Sequence, residues 1–146
     1  MRQVSGTELI PAPVERVFDF LADPANLPAW QAGIVEARVL TPAPTGIGSK
    51  ARVVRDVAGQ RITVELRVTA YEPPSVLALS SAYSGIGVEA RLELAPDEAG
   101  TRLVFGMTIK AQNLFMAPVE GIVAGAAEKD VAQSLARLRQ QFAAPG

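Results

Sequence analysis

The sequence predicts an α+β chain in which an antiparallel run of strands is covered by one long C-terminal helix. Three observations predict it. Val14, Val17, Phe18 and Leu21 recur at helical spacing between prolines. From Ile34 onward the apolar period drops to two, with Gly or Pro punctuation at intervals. From Leu114 to Phe142 the spacing becomes helical again. The chain has 146 residues, 49% of them hydrophobic and 20% charged, which suits a single domain over residues 1–146 with a core of its own.

Each element has a local reason. Residues Gln3 to Ile10 alternate weakly and end at Pro11, as a first strand with a sharp exit would. A helix follows, with Pro13 in its first turn and Glu15 complementing the N-terminal dipole. Pro24 and Pro28 stop it and start a second, very short helix around Ala25 to Trp30. Strands are then expected at about Val35–Leu40, Ser49–Val57, Arg61–Tyr71, Val76–Tyr83, Val88–Leu94 and Thr101–Lys110. The clearest alternation sets Ile62, Val64, Leu66 and Val68 against Thr63, Glu65, Arg67 and Thr69, giving one dry face and one wet face. Ala58-Gly-Gln and Ser84-Gly-Ile-Gly are read as two of the turns. The last helix, with Pro118 at its N1 position, carries Val119, Ile122, Val123, Val131, Leu135 and Leu138 as an apolar stripe, and Glu120, Glu128 and Asp130 are read as its solvated face. At roughly 25 residues it would span ~37 Å, enough to cross a seven-stranded sheet.

Composition excludes several kinds of chemistry. There is no histidine and no cysteine, so disulfides, the common zinc and copper sites, the Ser-His-Asp triad and the Cys-His dyad cannot be built. No metal and no cofactor are expected. A net charge of −1 offers no basic surface for nucleic acid. The N-terminus lacks an apolar signal core, and no run reaches the ~18–20 residues of a membrane span. A cytoplasmic protein without an integral membrane segment is the expectation.

The order strand, two short helices, six strands, long helix resembles the helix-grip fold of the START-like superfamily, in its polyketide cyclase/dehydrase and lipid-transport branch. The resemblance spans essentially the whole chain. It is carried by Pro11 to Asp23 with Trp30 closing the second helix, Gly46-Ile-Gly-Ser, Val68-Thr-Ala-Tyr-Glu-Pro-Pro and Gly100-Thr-Arg-Leu. It implies a deep pocket between the sheet and the long helix, which relatives use for polyketide intermediates, sterols, quinones, plant hormones or lipids. Cyclising relatives place Arg, Tyr, Asp or His in that pocket, and the absence of histidine here disfavours a histidine-assisted version.

Within that frame, alternation sends Ala51, Val53, Arg55 and Val57 inward, making Arg55 a candidate anchor for a carboxylate or an enolate oxygen. A one-residue slip would instead leave Arg55 at the sheet margin, paired with Asp56 or Glu65. Ser81 and Tyr83 share a face with Leu77 and Leu79, and Tyr83 is either a ligand-orienting phenol or an edge-strand residue with a wet tip. Met107, Phe115 and Met116 are candidates for the pocket mouth. Gly121, Ala124, Gly125, Ala126 and Ala127 either make room for a ligand or allow close packing. The expected lining is Trp30, Val53, Arg55, Leu66, Leu79, Tyr83, Val88, Phe105, Met107, Phe115, Val119, Ile122 and Val123, with Arg55 and Tyr83 as catalytic candidates. The functional expectation is binding of a hydrophobic small molecule. The alternatives are a cofactor-independent polyketide cyclase or dehydratase, and a stress or assembly protein with a filled interior that acts through its surface. An exposed strand edge allows a homodimer.

Overall fold

The structure, a computed structural model, describes residues 1–57 and 59–143, with only the backbone of Val57. The expected inward side chain of Val57, and Ala58 of the expected Ala58-Gly-Gln turn, lie outside the described residues. Strand β1 (Arg2–Ile10) leads into α1 (Val14–Ala22), a single 3-10 turn (Pro24–Asn26) and α2 (Leu27–Trp30). Six strands follow: β2 (Ile34–Val39), β3 (Lys50–Val57), β4 (Gln60–Glu72), β5 (Val76–Tyr83), β6 (Ile86–Asp97) and β7 (Gly100–Ala111). A second 3-10 turn (Leu114–Met116) precedes α3 (Ala117–Gln141).

The seven strands form one antiparallel sheet in the order β1-β7-β6-β5-β4-β3-β2, so β2 to β7 meander and β1 closes on β7. This is the expected helix-grip architecture. Sequence alternation maps onto the two faces: Val64, Leu66 and Val68 are buried while Thr63, Glu65, Arg67 and Thr69 are exposed. Register shifts interrupt pairing between Ile34 and Glu36 on β2 and between Val68 and Ala70 on β4. Such bulges bend a sheet locally.

Four expectations need correction. Pro13 caps α1 from outside and is not in its first turn, because an extended ψ of 148° ends the strand side of the junction there. The long helix begins at Ala117, so Pro118 takes N2, and Leu114 to Met116 form a tighter 3-10 turn capped by the Asn113 side chain. The β5–β6 turn is only Ser84-Gly85, both with positive φ, and Ile86 and Gly87 already pair in β6. That is the geometry a two-residue hairpin demands. Finally, β5 is the central strand of the sheet, so Tyr83 is not on an edge.

α1 and α2 pack their apolar faces, including Val17, Phe18, Leu27 and Trp30, into one end of the space between sheet and α3. There α3 contributes Val131, Leu135, Leu138 and, just past its end, Phe142. Close approach to β1 is possible because Gly6 has no side chain; a Cβ there would lie 2.8 Å from Leu135 Cδ1 and 3.1 Å from Val131 Cγ1.

Candidate functional site

The other end of the same space is open. A cavity of about 280 Å³ lies between the sheet and the first half of α3. A protein acting through its surface alone was expected to have a filled interior, and this one does not. The wall is apolar where strands and helix face each other: Ile62 and Val64 of β4, Ile86 and Val88 of β6, Met107 and Ile109 of β7, and Val119, Ile122, Val123, Ala126 and Ala127 of α3. Arg55, Asp56, Gln60, Ser81, Tyr83, Ser84 and Asp130 supply the polar groups, and Met116 completes the wall.

The polar end is built where three segments converge. β3 turns Arg55 inward by alternation, since Arg52 and Asp56, at odd spacing from it, are exposed and Val53, two residues before it, is fully buried. α3 brings Asp130, whose Oδ2 is 3.9 Å from Arg55 Nη2. The loop Gln31 to Gly33 crosses close by. Gly33 has φ +88°, and a Cβ there would stand 3.3 Å from Asp130 Oδ2 and 3.8 Å from Arg55 Nη2. The loop is pinned on both sides, the Ala32 N–H donating to Ser134 Oγ of α3 at 2.8 Å and the Asp56 N–H donating to the Gly33 carbonyl at 2.7 Å.

The electrostatics follow from this burial. The Arg55 side chain is 13% exposed. Burial draws its guanidinium below the ordinary arginine range, and Asp130 opposes that pull. Burial pushes the Asp130 carboxyl up, against the pull of Arg55 and Arg137. Charge-assisted N–H···O bonds are ~2.7–2.9 Å long, so at 3.9 Å the pair attracts without a hydrogen bond. Arg55 Nε has no hydrogen-bond partner among the described residues. Neither expected alternative partner binds Arg55: Asp56 faces Arg61 at 3.2 Å, and Glu65 lies 3.7 Å from Lys50.

The mouth is bordered by the β5–β6 turn and the start of α3. The Gln112 N–H donates to the Gly85 carbonyl at 2.7 Å, and a Cβ on Gly85 would meet Met116 Cγ at 2.8 Å. Tyr83 is 48% exposed at this rim.

Of the residues expected to line the pocket, Arg55, Tyr83, Val88, Met107, Val119, Ile122 and Val123 stand in the wall. Trp30, Val53, Leu66, Leu79 and Phe105 do not. The four strand residues point to the correct face of the sheet but fall toward the end that the short helices fill, and Trp30 belongs to one of those helices. Trp30, for instance, packs edge-on against Phe105 with ring centroids 5.6 Å apart. Phe115 is 89% exposed, because the 3-10 turn before α3 directs it outward. Two acids expected on the solvated face of α3 are elsewhere. Asp130 lines the cavity, and Glu120 is buried, accepting from the Ala111 N–H at 2.8 Å and paired with the Met1 ammonium. The signal for Asp130 was its spacing, seven residues after Val123 and three after Ala127, which puts it on the cavity stripe. The small residues have separate explanations: Ala126 and Ala127 border the cavity, Gly121 faces the Arg2 guanidinium, and nothing in the structure explains Gly125. Among the described residues there is no carboxylate cluster fit to hold a metal ion, and no helix long and apolar enough to cross a membrane.

Comparison with known proteins agrees with this fold. The family model described as "Polyketide cyclase / dehydrase and lipid transport" matches residues 1–143. A START superfamily protein from Mycobacterium smegmatis is similar in fold, with a TM-score of 0.75 at 20% identity over 95% of this chain and 98% of that one. TTHA0849 from Thermus thermophilus superposes with a TM-score of 0.79 at 19% identity, covering 97% of each chain. BexL, the di-domain ARO/CYC of the BE-7585A biosynthetic pathway, gives a TM-score of 0.75 at 16% identity over 99% of this chain and 51% of its own. No curated protein matches the sequence.

Proposed function

The chain belongs to the polyketide cyclase / dehydrase and lipid transport family, which supports a ligand-binding or cyclase role, and from that premise we propose that it binds a compact hydrophobic molecule carrying an oxygen acceptor. The observation that carries this reading is Arg55, an inward and under-bonded guanidinium at the end of an otherwise apolar cavity. A buried donor without a partner costs ~1–3 kcal/mol, and a ligand oxygen placed there removes that cost. Apolar walls supply affinity at ~25 cal/mol per Å² buried, while the few polar groups fix orientation. The volume, about 280 Å³, lies just below the ~300–1,000 Å³ typical of ligand pockets, which favours a ligand of a few rings over a two-chain lipid.

The test is native mass spectrometry of freshly purified protein beside an Ala126→Phe variant, followed by solvent extraction. A single small molecule on the wild type that is missing from the variant is the expected result. An adduct retained equally by both would place binding elsewhere.

Asp130 beside Arg55 favours a second reading, a cofactor-independent cyclase or dehydratase. In it Arg55 stabilises enolate charge, Asp130 moves the proton and Tyr83 orients the chain from the rim. It requires that Arg55→Ala and Tyr83→Phe each reduce turnover of a poly-β-ketone substrate while the fold persists; undiminished rates in both exclude it.

A further inference from the structure

The inward guanidinium of the cavity is already matched by a carboxylate, and this limits what a ligand's head group can carry. Resting on the reading of the cavity as a ligand site, we infer that Asp130 is a specificity determinant that selects a neutral carbonyl head, such as a ketone or quinone, over a carboxylate of the same shape.

The argument is one of charge and free donors together. At 3.9 Å Asp130 balances Arg55 electrostatically yet takes none of its hydrogen bonds. A guanidinium has five N–H donors, and here Nε has no partner among the described residues. A ketone oxygen accepts one of these donors and leaves the balance of charge intact. A carboxylate brings a second negative charge into the same half-dry corner. Two carboxylates sharing one site do not both stay ionised at low cost, so such a ligand binds with uptake of a proton.

The surroundings reinforce this. From β3, Asp56 adds a further negative group, held by the exposed Arg61 at 3.2 Å. From α3, Arg137 helps keep Asp130 ionised. β4 contributes the neutral Gln60 and β5 the phenol of Tyr83, while the Gln31 to Gly33 loop carries no ionisable group. Gly33, with no side chain, lets that loop pass close over the pair.

A matched pair of probes separates the possibilities: 2-acetylnaphthalene and 2-naphthoate, titrated by calorimetry into the wild type and Asp130→Asn. The wild type should bind the ketone at least about tenfold more tightly, and Asp130→Asn should strengthen naphthoate binding by about tenfold or more while moving the ketone less than about threefold. Naphthoate binding to the wild type should also take up a proton, visible as a dependence of the measured heat on the buffer's ionisation enthalpy. That readout needs no variant. Naphthoate binding as tightly as the ketone to the wild type, with no proton uptake, would overturn the inference and leave the ligand-site reading standing. Failure of both probes to bind either protein would count against the ligand site itself, and the inference would fall with it.

Discussion

The two ends of the space between the sheet and α3 are made from the same strands and the same helix, yet one is solid and the other hollow. Strand β7 shows the contrast within a single alternating series. Leu103 and Phe105 meet the short helices, whereas Met107 and Ile109, next along the same face and also buried, line the cavity. α3 divides likewise, with Val131, Leu135 and Leu138 packed and Val119, Val123 and Ala127 lining the void. The difference comes from α1 and α2, which plug one end and do not reach the other. On the proposed reading, stability and binding fall to different stretches of the same elements.

That division can be broken most forcefully at the solid end. Phe105→Ala should cost ~3–5 kcal/mol in urea unfolding, since it removes the partner of Trp30 where nothing can collapse to replace it. Val123→Ala, at the hollow end, should cost about 1 kcal/mol, because its half-buried methyl groups already border space. Equal costs would mean that the void is not a feature of the folded protein. Gly6→Val tests the close approach of β1 to α3. With a Cβ 2.8 Å from Leu135, overpacking of ~1–3 kcal/mol is expected, and an unchanged denaturation midpoint would show the contact to be loose.

At the hollow end the expected effects are on binding. Arg55→Met should weaken 2-acetylnaphthalene by ~10–100-fold, the range for a hydrogen bond to a charged group. A large stability loss with unchanged affinity would make Arg55 a structural residue.

The smallest effects are in pH dependence, where two acids of α3 should behave oppositely. Asp130 is raised by burial, so the native state holds its proton more tightly than the unfolded chain does. Its contribution to stability is therefore present below the unfolded value of ~4 and is lost as pH rises through the higher folded value. Glu120 is lowered, first by its hydrogen bond with the Met1 ammonium and then by the Ala111 N–H, so its contribution is present above the unfolded value and is lost as pH falls through the folded one. Across the acidic range the stability difference between wild type and Asp130→Asn should fall with rising pH, and that between wild type and Glu120→Gln should rise. Parallel slopes would contradict the two environments.

The fold was legible because alternation and helical spacing are local. Ile62 to Val68 declare their dry face from sequence alone, and the α3 stripe declares its own. The site was half legible, and the missing half has one cause. Alternation says which face a residue points to, not how far along the strand the covering helices extend. Val53, Leu66, Leu79 and Phe105 share the cavity's face but fall toward the plugged end, where Trp30 of α2 packs, a distinction that depends on where α1 and α2 dock. Phe115 turned on where a 3-10 turn becomes an α-helix, a boundary that spacing does not resolve. Asp130 carried the right periodicity and was hidden by its charge, which reads as solvent-facing until a buried partner such as Arg55 is known.

The central claim is that the hollow end is a ligand site, and titration with the neutral fluorescent probe 1-aminoanthracene tests it most directly. The account predicts one saturable site on the wild type with enhanced, blue-shifted emission, and a loss of affinity of about tenfold or more in Ala126→Phe, which fills the cavity without touching the packed end. Equal binding to both proteins, or none to the wild type, would contradict it.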